Sequence, residues 1–180
     1  MTRKTIKTIP YRRKQEGKTN YKKRLRLVQS QKPRLVIRQS LKNMLVQVIS
    51  FDPVGDKVLA EAKSGELKNH GWKGTLGNIP AAYLTGYMTG MKCKKAGLKD
   101  LVVDLGFRTP TKGSRIFAVI KGIRDAGIDI NCNEEKFPSD DRINGKHIEA
   151  YAENLSTKER DPSQISKMID QVKQKVSNIK

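Results

Sequence analysis

Three short apolar, β-rich stretches separated by turn residues lie near the start of the chain, and the spacing changes to helical further on. Arg34-Leu35-Val36-Ile37-Arg38-Gln39 is a short β-rich run after the Lys32-Pro33 break, and Ser40 to Asn43 reads as a turn. Met44 to Phe51 (MLVQVISF) forms a second strand pattern, Asp52 to Asp56 a second turn, and Lys57 to Ala62 a third strand. Three strands joined by short turns predict an antiparallel meander. Gly71 to Gly77 is a loop, and Asn78-Ile79-Pro80 opens a helix, with Asn78 as N-cap and Pro80 in the first turn. That helix runs to about Lys95 and stops at Gly97. Ala82, Gly86 and Gly90 leave one of its faces nearly bare, which predicts close approach to a sheet.

Leu101 to Leu105 is a nearly continuous apolar strand, expected in the buried interior of a sheet. Thr109 to Ser114 is a loop, Arg115 to Ala126 a second helix ending at Gly127, and Ile128 to Ile130 a last short strand. The order of elements predicts an α/β three-layer sandwich with a mixed β-sheet and right-handed crossovers. Asn133 to Lys146 is polar, and 147–155 reads as a short helix. A terminal helix starting at Asp161-Pro162-Ser163 carries Ile165, Met168, Ile169, Val172, Val176 and Ile179 as one apolar stripe. It packs either on the domain or on a partner, and its spacing fits both. The divisions are 1–31, a basic N-terminal extension; 32–132, an α/β core; and 133–180, a C-terminal extension with the amphipathic helix.

Charge changes the picture at the N-terminus. The first twenty-six residues hold eleven Lys or Arg and a single acid, Glu16, out of a net charge of +19 for the whole chain. Such a segment repels itself and buries little, so it is expected to be disordered alone and to order on a polyanion, with nucleic acid the usual one. Aromatic residues are 6% of the chain, which argues against a large cofactor pocket. Cys93 and Cys132 form no CxxC pair and are expected to be free thiols in a reducing compartment. No apolar run approaches the roughly eighteen residues of a membrane span, and no signal-peptide core is evident. The expected location is the cytoplasm.

Candidate chemistry is sparse. His70 and His147 are isolated, so neither a metal nor a cofactor is expected. The glycines at 71, 74 and 77 match no phosphate-binding fingerprint. They serve loop geometry, or else present Trp72 and Lys73 to RNA. Thr111 to Arg115 at a helix start is either a phosphate cup, using Lys112 and Arg115, or a plain Ser-capped helix. Asp104 ends a central strand where a nuclease would hold metal, but the first strand supplies Arg34, Arg38 and Gln39 where acids are required. Asp104 is therefore expected to be a structural acceptor, and catalysis is not expected. In the arm, Tyr11 and Tyr21 are interleaved with cations, a pattern suited to stacking on unpaired bases.

RRKQEGKTNYKKRL (Arg12 to Leu25), KPRLVIRQS (Lys32 to Ser40), NIPAAYLTG (Asn78 to Gly86) and GSRIFAVIKGIRDAGI (Gly113 to Ile128) resemble the large-ribosomal-subunit protein family numbered eighteen, closest to its archaeal form. The likeness covers essentially the whole chain, including Phe137 to Tyr151. It implies a non-catalytic ribonuclease-H-like topology. It also implies a protein that binds 5S ribosomal RNA and attaches it to the large-subunit RNA in the central protuberance. The implied partners are those two RNAs and neighbouring large-subunit proteins, with no membrane and no homo-oligomer. By motif position, the implied RNA-binding residues are Arg12, Arg13, Lys14, Lys18, Tyr21, Lys22, Lys23, Arg24 and Arg26. Arg34, Arg38, Lys42 and Asn43 follow on the sheet side.

Overall fold

A computed structural model describes residues 9–152 and 165–177. Its frame is one mixed sheet of four strands in the order β3-β2-β1-β4. Strands β1 (Arg34–Gln39), β2 (Met44–Ser50) and β3 (Lys57–Lys63) form the antiparallel meander read from the sequence, and β4 (Val102–Asp104) pairs parallel to β1. Residues 128–130 contribute a single parallel bridge, Asp100 to Asp129, in place of a full strand. Strand β4 therefore has only that bridge on its outer side and is half-buried, not the deep interior strand its apolar run suggests.

Period-two alternation assigns the faces. Leu35, Ile37, Met44, Val46, Val48, Ala60 and Ala62 point into the main core. Helix α3 (Ile79–Lys95) packs on β2 and β3, and α4 (Arg115–Asp125) packs on α3. Asn78 caps α3 by accepting from the Ala81 amide. The opposite face carries Arg34, Val36 and Arg38. Two short helices precede the sheet, α1 (Arg12–Gln15) and α2 (Tyr21–Gln29), and α2 packs against β4.

The arm carries two helices that its charge density does not announce. Asn20 caps α2 by accepting from the Lys23 amide, and Tyr21, Arg24, Leu27 and Val28 are half-buried along one side. The spacing is helical, but a charged member, Arg24, completes the stripe, so apolar periodicity alone misses it. The first eight residues lie outside the described part.

The bare face of α3 meets a helix, not a sheet. A methyl group on Gly86 would run into the Val119 carbonyl oxygen of α4, and one on Gly122 into the Tyr83 carbonyl oxygen of α3. Each backbone thus occupies the space that the other's missing side chain leaves.

C-terminal elements complete the core. Helix α5 (Asp140–Ile143) buries Ile143, and α6 (Lys146–Ala152) follows; the expected continuation to 155 lies outside the described residues. Helix α7 (Ile165–Ser177) buries Ile165, Ile169, Val172 and Val176 against α3 and the 3-10 helix Ser64–His70. The stripe on α7 therefore packs within the chain; its expected start at 161–163 and Ile179 lie outside the described residues. Lys173 Nζ donates to Tyr83 Oη (3.1 Å) and lies over the Tyr83 and Tyr87 rings at 5.5 and 5.3 Å. Tyr83 donates to Asp125 Oδ2 at 2.7 Å. Burial, then that carboxylate, raises the tyrosine pKa and keeps the hydroxyl a donor.

Gly86→Ala and Gly122→Ala should each destabilise the fold by about 2 kcal/mol, because overpacking outweighs a helix-propensity gain of about 1 kcal/mol. Gly65→Ala, where a methyl meets nothing within 4 Å, should change stability by less than about 0.5 kcal/mol. Urea unfolding checks both. The two cysteines are free. Burial pushes the Cys93 thiol up to about 11, so almost none is thiolate at pH 8. Cys132 is half-buried and is raised by burial against the pull of Lys136 and Arg124. Alkylation at pH 8 followed by peptide mapping should label Cys132 first and Cys93 only as the protein unfolds.

Candidate nucleic-acid interface

The β1 register decides which basic residues face water. Arg34, at the start of the strand, is 3% exposed. Its Nη1 donates to Asp104 Oδ2 at 3.1 Å and its Nη2 to Asp56 Oδ2 at 2.7 Å. Asp56 also receives Arg24 Nη2 at 3.0 and 2.8 Å on its two oxygens. The sequence order 24, 34, 56, 104 thus becomes an alternating cation–anion chain across the second face. Asp104 is the structural acceptor expected, and its Oδ1 also takes the Gly106 amide at 3.0 Å. Arg34 is corrected from an RNA contact to an internal cation, because α2 and the turn at Asp56 cover its end of the strand.

Four positions along β1, the cover ends. Arg38 is exposed and lines a groove of about 540 Å³ between α1 and the ends of β1 and β4. Arg13, Lys18 and Arg108 supply its other cations, and Ile37, Leu105 and Phe107 its apolar wall. No carboxylate lines it. A second groove of about 440 Å³ shares Arg38 and continues past Asn43 to Lys63. The first groove is basic, of the kind that follows a phosphate backbone, whereas the second is lined mostly by Met44, Leu45 and neutral residues and its Lys63 pairs with Glu61 at 2.9 Å.

Arg13 is set in place by its Nε donating to Thr19 Oγ1 (2.9 Å). Lys18 pairs with Glu16 at 2.8 Å, and Arg12 approaches the same carboxylate at 3.5 Å. Lys14, Lys22 and Arg26 are exposed, with no acidic partner among the described residues. Lys23 reaches the Gly106 carbonyl at 3.3 Å. The Tyr21 ring lies 5.2 Å from that of Tyr11, at 48°, so the two aromatic residues of the arm brace each other.

Arg115 is held by backbone carbonyls. Its Nη1 donates to the carbonyls of Gly77 (2.9 Å), Ser40 (3.2 Å) and Leu41 (3.4 Å). It ties the β1–β2 turn to the glycine loop and so positions exposed Lys42 and Asn43. A phosphate cup at 111–115 loses two donors in this way, since the Gly113 amide also goes to the Lys136 carbonyl at 2.9 Å. Lys112 stays exposed. Trp72 is corrected as well: it is 2% exposed and its indole N–H donates to the Thr75 carbonyl at 3.2 Å, so its ring belongs to the core. Lys73 beside it is exposed.

Phe107 and Arg108 were not among the residues singled out by sequence. Their signal is an aromatic–arginine pair after a glycine in a loop rich in Thr and Pro, hidden by its abutting a strand.

Residues 6–102 match the family described as ribosomal large subunit proteins 60S L5 and 50S L18. That span is more than half of the chain. The chain belongs to this family. It is thus a large-subunit ribosomal protein with a structural role, and its family associates with ribosomal RNA. The matched span takes in most of the basic arm, the four-stranded sheet up to the start of β4, and all of α3. Among the described residues there is no cluster of three or more His, Cys, Asp or Glu able to hold a metal ion. No described helix is long and apolar enough to cross a membrane.

Arg34→Ala leaves two carboxylates without their shared cation. Breaking a buried pair in this way costs about 3 kcal/mol, whereas truncating exposed Arg38 should cost less than about 0.5 kcal/mol. Arg34→Lys should not restore stability, since one ammonium cannot span both acids as a guanidinium fork does. Urea midpoints for the three variants check this, and similar small losses throughout would contradict the internal role of Arg34.

Proposed function

We propose that this protein binds 5S ribosomal RNA and attaches it to the large-subunit RNA in the central protuberance, as a scaffold without catalysis. The carrying observation is the acid-free groove where Arg13, Lys18, Arg38 and Arg108 converge at the junction of arm and sheet. Its cations come from three separate segments, the arm, β1 and the turn after β4, so the groove offers a fixed spacing of charge and not a flexible tail alone. A-form RNA hides its base edges in a deep, narrow major groove, and recognition then falls on backbone shape, 2′-hydroxyls, loops and bulges. A rigid comb of cations suits the first of these.

The exposed cations of α1 and α2, Arg12, Lys14, Lys22 and Arg26, extend the same surface along the arm. Lys42 and Asn43 extend it past the β1–β2 turn, with Lys73 and Lys112 on neighbouring loops. Family membership supports ribosomal RNA as the polyanion, and the motif Glu16 to Tyr21 within the arm supports the 5S assignment. A ribonuclease-H-like topology agrees with the strand order and with the bridge at Asp129 on the far side of β4. The Asp104 carboxylate is engaged by Arg34 and the Gly106 amide, which favours a scaffold over phosphodiester cleavage.

Binding should depend steeply on salt, falling about a thousand-fold or more between 50 and 200 mM if six or more phosphates are neutralised. Replacing Arg13, Lys18, Arg38 and Arg108 together by Ala should lower the log–log slope by about three while leaving the fold intact. This is a cleaner test than removing residues 1–26, which would also uncover Asp56 and the sheet. Filter binding with 5S RNA, transfer RNA and duplex DNA in competition reads both slope and preference. Equal affinity for the three polymers would sink the 5S assignment, and cleavage of RNA with magnesium would sink the scaffold.

A further inference from the structure

We propose that Phe107 is a stacking platform for one unpaired base of the bound RNA, with Arg38 and Arg108 holding the phosphates beside it. The proposal deepens the RNA-binding reading above and rests on it. Phe107 is 58% exposed at the tip of the turn after β4, yet it forms part of the wall of the basic groove. Large exposed aromatic side chains inside a basic, acid-free groove fit the way proteins hold single-stranded nucleic acid, with cations on the backbone and π-faces on the bases.

The turn that carries Phe107 is held from several sides. Its ends are closed by the Arg108 amide on the Leu105 carbonyl at 3.1 Å. Asp104 Oδ1 takes the Gly106 amide, and Lys23 of α2 reaches the Gly106 carbonyl. Arg108 Nη2 donates to the Gln39 carbonyl at 3.2 Å, tying the turn to β1. Gly106 adopts φ +59°, and a side chain there would meet Arg38 Nη1 at 3.3 Å. Phe107 is thus an exposed ring on a braced support, and stacking a base on it orders little of the protein.

Other exposed apolar residues differ in their surroundings. Tyr11, 73% exposed, already has Tyr21 against its ring. Phe51 adjoins Asp52, whose carboxylate pairs with Lys57 at 2.7 Å, and it lines neither groove. Phe107 has Arg38 and Arg108 in the same groove and no acid there. The ligand moiety this selects is an unpaired nucleotide in a loop or bulge, since a base inside a duplex offers no face.

Phe107→Trp places an exposed indole at the site, while native Trp72 stays buried as a constant background. Titration with 5S RNA should quench the added emission. Phe107→Ala should weaken 5S binding about ten-fold with the salt slope unchanged, because no charge is removed. A fully paired RNA duplex should bind both variants and the parent alike, without quenching. If the parent binds 5S RNA but Phe107→Ala matches it and the indole emission stays constant, the platform is overturned. If the parent shows no preference for 5S RNA, the 5S assignment fails instead. The platform is then read on a single-stranded oligoribonucleotide of mixed sequence, where quenching supports it and unchanged emission overturns it.

Discussion

A guanidinium buried between two carboxylates fixes how the basic arm meets the sheet. Arg34 lies on β1, Asp104 on β4, and Asp56 in the turn between β2 and β3, where Arg24 of α2 joins the same acid. Four segments distant in sequence share one set of charge-assisted hydrogen bonds. An isolated buried charge is strongly unfavourable, so each member holds the others in register. Helix α2 cannot lie elsewhere on the sheet without leaving Asp56 with only one cation. The direction of α2 then determines where α1 goes, and with it the position of Arg13 and Lys18 over the end of β1. The groove is a consequence of that placement.

On the other face, two glycines set the distance between α3 and α4. Gly86 and Gly122 let the backbones approach until carbonyl groups fill the space of absent side chains. With α3 so closely backed, α7 closes the remaining side through its four buried aliphatic residues and Lys173 over the two tyrosines. The two faces of the sheet thus use different physics. One is an apolar core in which packing dominates. The second is a polar layer in which paired charges do, and only the second reaches the solvent as a binding surface.

Basic residues divide accordingly. Arg34, Arg24 and Arg115 serve acids or backbone carbonyls, Arg13 and Arg38 line the groove with no acidic partner among the described residues, and Arg108 lines it while giving one N–H to the Gln39 carbonyl. Arginine suits both tasks because its planar fork can satisfy several acceptors at fixed angles. Composition cannot distinguish them. A chain with net charge +19 still places some of its cations where no RNA reaches, and the surface field depends on the remainder.

Sequence alone determined the meander, helices α3 and α4, the Asn78 cap of α3, the apolar stripe of α7, and the basic character of the arm. Each follows from local rules: β-rich runs bounded by turn residues, helical spacing, Asn and Gly at helix ends, and charge density. The family was legible too, through the segments from Arg12 to Leu25 and Lys32 to Ser40. Tertiary structure decided what depends on the meeting of distant residues. It sent the bare face of α3 to a helix, reduced 128–130 to a single bridge, and gave the arm helices that its charge concealed. It turned Arg34 and Trp72 inward and brought Phe107 and Arg108 to the groove. A strand pattern tells which side of the sheet a residue takes, but burial on that side depends on whether another segment covers it. For Arg34 the cover is α2 and Asp56; for Arg38, four residues on, it is absent, and that difference is where the interface begins.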